Sequence, residues 1–179
     1  MKKSNRLALT FFVIVAATAA LAQSDAQKSF DQLKSLAGNW EGKNSLGEPL
    51  QVSFKVTSGG SAVMSEIAGH GSDNMITMFH LDGPNKLVLT HYCGAGNQPR
   101  MQASASPDGK TITFNFLDAT NLPSSDAGHM HRVAITVFDA NHHNRRMELR
   151  RPRQGNEGTV RPAPQNVSVR GAGRTCPER

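Results

Sequence analysis

Leu50-Gln51-Val52-Ser53-Phe54-Lys55-Val56 decides the fold class. Apolar and polar residues alternate through it, the period of a strand with one dry face and one wet face. The same period recurs downstream. Met75, Thr77, Phe79 and Leu81 share one face, with Ile76, Met78 and His80 on the other. Leu87, Leu89, His91 and Cys93 form a further row. Ile112, Phe114 and Phe116 alternate with Thr111, Thr113 and Asn115, and Val133, Ile135 and Val137 alternate with Arg132, Ala134 and Thr136. Turn-forming residues separate the rows: Ser45–Pro49, Ser58-Gly59-Gly60, Gly71–Asn74, Asp82–Asn85, Gly94–Gln98 and Ser106–Gly109. The pattern predicts strands near 39–44, 49–57, 61–68, 74–82, 85–93, 99–105, 110–118 and 129–139. Eight strands with short connections form a mainly β, antiparallel meander, and closing it into a barrel removes the exposed edges. A two-sheet sandwich is the alternative. The connection Asp118–Gly128 is the longest and reads as a mouth loop.

Upstream of the strands, Asp25–Leu36 reads as a short helix. Ser24 or Asp25 caps it, Phe30, Leu33 and Leu36 recur at helical spacing, and Gly38 closes it. Before that, Met1–Arg6 is polar and basic, and Leu7–Ala22 is apolar and uncharged. Ala20-Leu21-Ala22 presents the small residues that a signal peptidase reads. Residues 1–22 are therefore expected to be a signal peptide, with the product periplasmic or extracellular and no membrane span after cleavage. The apolar run is shorter than the roughly 20 residues of a comfortable span.

Charge partitions sharply along the chain. The 179 residues carry a formal net charge of +6. Residues 1–22 contribute +3, residues 23–143 contribute −3, and residues 144–179, with nine Arg and no Lys, contribute +6. The expected barrel, 23–143, is thus slightly acidic, and nucleic acid is excluded as a main partner. From Asn144 the alternation gives way to Arg, Pro and Gly. This composition predicts a disordered C-terminal tail over 144–179. A frameshift is the sharper reading. Met147-Glu148 is encoded ATG-GA(A/G), so reading one nucleotide later forces a Trp codon. With permitted codons throughout, Asn144–Asn156 re-reads as Thr-Glu-Glu-Trp-Ser-Tyr-Ala-Asp-Gln-Gly-Lys-Glu-Thr, which has the look of a strand followed by a turn. The only cysteines are Cys93 and Cys176. Export permits a bridge between them, and the absence of a CxxC spacing removes thiol-redox and zinc-ribbon readings.

Gly38-Asn39-Trp40 lies between the helix and the first strand. In that position it resembles the G-x-W motif of the calycin superfamily, the lipocalin-like barrels. The resemblance covers roughly residues 28–143 and implies that Trp40 closes the barrel base, with Gly38 and Trp40 structural. More specifically, the chain resembles a family of small exported bacterial proteins of unknown function. The likeness is carried by Leu36-Ala37-Gly38-Asn39-Trp40-Glu41-Gly42, by His91-Tyr92-Cys93-Gly94-Ala95-Gly96-Asn97-Gln98-Pro99-Arg100-Met101, by Asp118-Ala119-Thr120-Asn121 and by Asp126-Ala127-Gly128-His129-Met130-His131. Members of that family continue with a Trp-bearing strand that this chain lacks, in keeping with a shifted frame.

The same segments hold the candidate site. His91, Tyr92, Cys93, Asn97, Arg100, Asn121, His129 and His131 are the expected ligand-binding residues. His129 and His131 form an H-x-H pair able to supply two ligands to a metal such as zinc, with His91, Cys93 or Asp118 as a third. A hydrogen-bonded cluster pinning the loop is the plainer reading. Arg100 presents a fork of donors to a carboxylate, or else pairs with Asp118 or Asp126. His142-His143 reads as a solvated turn. Cys93 beside His91 lacks the accompanying motifs of a nucleophile, and no serine elbow, phosphate loop or paired carboxylate is present. The residues therefore favour a binding module for a small, partly apolar ligand over an enzyme. The alternatives are a metal-dependent enzyme or metal- or haem-binding protein using His129 and His131, and a cell-envelope interaction protein without a small ligand.

Overall fold

Ser24 holds an extended backbone, and its hydroxyl oxygen accepts from the Gln27 N–H at 3.2 Å. This is the N-cap geometry that starts helix α1, Asp25–Ser35. The computed structural model describes residues 23–68, 74–150 and, as backbone, 165–171. Phe30 and Leu33 line the buried face of α1, and Leu36 follows at its C-cap. That face packs against strands introduced next, so the helix covers part of one end of the sheet.

Ten strands follow: β1 (Gly38–Lys43), β2 (Pro49–Thr57), β3 (Ala62–Ala68), β4 (Met75–Leu81), β5 (Leu87–Tyr92), β6 (Gln98–Ala105), β7 (Thr111–Thr120), β8 (His129–Asp139), β9 (His142–Arg150) and β10 (Gln165–Gly171). Each consecutive pair from β1 to β10 is antiparallel, and β10 also pairs with β1, so the meander curls round into a ring. The helix and the eight strands expected from periodicity are all present, within two residues at each end. The apolar alternation points inward along most of each strand, with Val56 at the end of β2 an exposed exception. Val52, Phe54, Val63, Phe79, Leu89, Met101, Ile112, Phe114, Val133 and Ile135 fill the interior. Phe79 and Phe114 meet there with ring centroids 5.4 Å apart. Burying each such side chain contributes roughly 1.5–3 kcal/mol, which is why one residue type alternates so strictly with another.

Trp40 is buried, and its indole N–H donates to the Leu36 carbonyl at 2.8 Å. That bond satisfies a carbonyl at the helix C-terminus and ties α1 to β1. Gly38 between them holds φ +140°, a conformation L side chains rarely adopt.

Two expectations need correction. The barrel does not end at His143, because β9 runs across the 143/144 boundary to Arg150, and β10 then joins β9 to β1. The reason is that β9 keeps period two with unexpected residues. His143, Arg145 and Met147 are its buried positions, and polar residues at two of them hid the strand. His143 is accordingly not in a solvated turn; it is 1% exposed. The mouth loop is also shorter than expected, since β7 extends to Thr120 and leaves 121–128. The signal-peptide reading of 1–22, and residues 151–164 and 172–179 of the expected tail, lie outside the described residues. So does Cys176, and with it the proposed bridge to Cys93. Among the described residues, no helix is long and apolar enough to cross a membrane.

The shifted-frame reading has a direct check. If the frame slips at codon 144, genomic DNA across codons 140–180 differs by an inserted or deleted nucleotide, and the restored strand carries glutamate at position 145 and tryptophan at 147. An uninterrupted frame in the genome removes this reading.

Candidate functional site

Successive residues of a strand face opposite sides, and this separates the candidate residues into groups. His91 points inward from β5 and is 2% exposed, whereas its neighbour Tyr92 is about half exposed on the outside. Cys93 begins the turn that follows, where its N–H donates to the Asn97 carbonyl. Arg100 is also on the outer surface. Its guanidinium takes Asp118 in a fork, Nε to Oδ1 at 2.6 Å and Nη2 to Oδ2. The Asp118 carboxyl is held below the usual range by that bond, and Arg100 is held higher. Of the two roles open to Arg100, the structure shows the pairing with Asp118. Both partners are solvated, so screening leaves such a pair little weight. Arg100→Ala is therefore expected to leave the thermal unfolding midpoint close to that of the parent. A large drop would show that the pair does more than orient two surface side chains.

Asn97 and Asn121 fasten the mouth. The Asn97 amide donates to the Gly128 carbonyl at 2.9 Å, and the Asn121 amide donates to the Gly96 carbonyl. Asn121 itself sits at φ +54°, in the left-handed region where Asn is among the tolerated residues. These bonds lace the 93–97 turn to the 121–128 loop.

His129 and His131 lie together, as H-x-H on a strand requires. The His129 ring is buried, with Nδ1 2.8 Å from the Ala127 carbonyl. Its Nε2 lies 3.3 Å from Nδ1 of the exposed His131. Phe116 packs on both rings, with centroids 4.4 and 5.3 Å away. Burial, then the neighbouring His129 and Arg150, lower the pKa of His131, against a smaller opposing effect of Glu148. None of the expected third ligands joins them. His91 bonds Thr77, Asp118 bonds Arg100, and among the described residues no group of three or more His, Cys, Asp or Glu is placed to hold a metal.

A second polar group lies inside the barrel, and sequence reading found only one of its members. Ser65, Thr77, His91, His143 and Arg145 are all buried, none more than 4% exposed. They come from β3, β4, β5 and β9. The Thr77 hydroxyl and His91 Nδ1 are 2.9 Å apart, and the Arg145 guanidinium donates from Nη2 to the Ser65 hydroxyl at 2.8 Å. Arg145 also lies over the Phe54 ring, 5.3 Å from its centroid. His143 meets Trp40 edge-on, with centroids 4.3 Å apart. Both ring nitrogens of His143, and Nε of Arg145, have no hydrogen-bond partner among the described residues. Among the described residues no carboxylate pairs with Arg145 either. Burial alone brings Arg145 down to about 10. Burial, with Arg145 second, brings His91 and His143 to about 4, so both rings are neutral at pH 7. The signal for the missed members was the His143, Arg145, Met147 alternation, once a polar residue is allowed an inward position.

Chemically, this interior holds donors that its own groups leave unused, Nε of Arg145 and one N–H of the neutral His143 ring, beside one unused imidazole acceptor. A guanidinium, two neutral imidazoles and two hydroxyls suit a ligand group that accepts hydrogen bonds, a carboxylate above all. Comparison with protein-family models and with curated proteins finds no match to the chain.

Proposed function

We propose that the chain is an exported lipocalin-like protein that holds one small, partly apolar ligand inside its barrel. The ligand's acceptor group is met by Ser65, Thr77, His91, His143 and Arg145, and its apolar part by the rings beside them, Phe54 and Trp40. One observation carries this reading: Arg145 and His143 are buried in an apolar interior with donor atoms left unused. Isolated buried polar groups cost several kcal/mol unless something meets them, and a bound acceptor would do so. A small ligand in a closed β-meander is also what a barrel of this strand number accommodates. The export half of the reading rests on residues 1–22.

Native mass spectrometry of the untagged protein tests the binding half. One co-purified small molecule per chain, lost in Arg145→Met, is the expected result. A mass equal to the bare chain, together with no fluorescence gain from anilinonaphthalene sulfonate that Arg145→Met abolishes, overturns it. A cleaved N-terminus beginning at Gln23 in the exported fraction tests the other half.

A further inference from the structure

We propose that His129 and His131 form a two-nitrogen seat for a single divalent transition-metal ion of the zinc and copper class, separate from the barrel interior. The spacing supports this first. Two imidazole nitrogens bound to one tetrahedral ion at about 2.0–2.1 Å lie roughly 3.3–3.4 Å apart. His129 Nε2 and His131 Nδ1 are 3.3 Å apart without any metal.

The proton arrangement supports it next. Nδ1 of His129 donates to the Ala127 carbonyl, which leaves the Nε2 lone pair free. A backbone carbonyl on the far nitrogen is the usual device that orients a metal-bound histidine and raises its basicity. Without metal, His131 Nδ1–H donates to His129 Nε2. Metal binding replaces that hydrogen: the His131 proton moves from Nδ1 to Nε2, so a neutral ring is retained and no net proton is lost.

Phe116 completes the seat. It packs against both rings and limits the rotamers they lose on binding. The facing charges are mixed. Arg150 disfavours a cation beside His131, and Glu148 favours it. Arg150 is in turn 3.8 Å from Asp126. With no third His, Cys, Asp or Glu in the group among the described residues, the remaining positions fall to water or to a ligand from outside.

The test uses the untagged full chain and chloride salts of zinc and copper(II). Calorimetry is expected to give one ion per chain, with affinity falling about ten-fold or more in His131→Gln. His131 is exposed, so that variant keeps the fold. His80→Gln and Cys93→Ser, on other strands and turns, are expected to bind as the parent does. The copper(II) electron paramagnetic resonance spectrum should show coupling to two nitrogens, reduced to one in His131→Gln. Binding that survives His131→Gln, binding lost in His80→Gln or Cys93→Ser, or fewer than one ion per chain overturns the seat. None of these outcomes depends on occupancy of the barrel.

Discussion

Between pH 6.5 and about 4 the protein is expected to lose several kcal/mol of folding stability. His91 and His143 are responsible. Each has a folded pKa of about 4, against 6.5 for an ordinary histidine. Above pH 6.5 both rings are neutral whether the chain is folded or not, and they contribute no pH dependence. Below 6.5 the unfolded chain takes up protons that the folded chain refuses, and stability falls as pH falls. The loss levels off below about pH 4, where the folded rings also charge. Each ring contributes on the order of 3 kcal/mol over that window. The two share Arg145 as a neighbour, so their sum is an upper figure. The exposed carboxylates with lowered pKa values, among them Asp82, Asp108 and Asp139, act in a different window. Their contribution is present above the unfolded carboxylate pKa and is lost only as pH drops through a folded value below 3.8. Urea titrations at pH 7.5, 6, 5 and 4.5 separate the two. His143→Leu should flatten the slope between pH 6.5 and 4.5 by roughly half. Equal stability at pH 7.5 and 4.5 would mean that the rings are hydrated and not buried.

Arg145→Met is expected to stabilise the ligand-free protein at pH 7.5 by roughly 1–4 kcal/mol. The guanidinium is 2% exposed, donates one hydrogen bond to a hydroxyl and has no carboxylate among the described residues. Its desolvation is therefore poorly offset. Methionine supplies similar apolar volume without the charge. The Ser65 hydroxyl loses a donor, which costs about 1 kcal/mol, less than the desolvation recovered. The variant also removes a positive neighbour from His91 and His143. Their folded pKa values rise toward 6.5, and the acid loss described above becomes shallower. A urea midpoint that moves down at unchanged slope would contradict this, and would point to an acceptor for Arg145 supplied from residues 151–179. Together with the loss of co-purified ligand, a gain in stability would mark Arg145 as a residue kept for binding at the expense of the empty fold.

The sheet was legible in the sequence wherever its inward residues are apolar. Val52 and Phe54, or Ile112 and Phe114, announce their strands because water is excluded from one face only. β9 broke that rule at His143 and Arg145, so period two was present but disguised. β10 lies in a stretch whose Arg, Pro and Gly content resembles a solvated tail; its strand exists through pairing with β9 and β1, contacts no local pattern encodes. The H-x-H pair at 129 and 131 was legible as a spacing, although the ladder slips between Met130 and Arg132 and one ring ends buried and the other exposed. The interior donors were not. Ser65 and Arg145 are 80 residues apart, and only closure of the ring brings them together. His91 and Tyr92, adjacent in sequence, end on opposite faces of one strand, as the alternation of a strand implies.

Closure by β10 also gives the ring one place at which to open. Strand β1 has its second neighbour only in residues 165–171, so with that strand undocked one row of β1 amides is unpaired. In that state β1 and β9 border an opening one strand wide, and any extended segment of suitable register competes for it. The last strand therefore acts as a latch. Amide exchange in the open state should be fastest along the outer edges of β1 and β9 together, two stretches that lie a hundred residues apart and yet share one hinge of local unfolding.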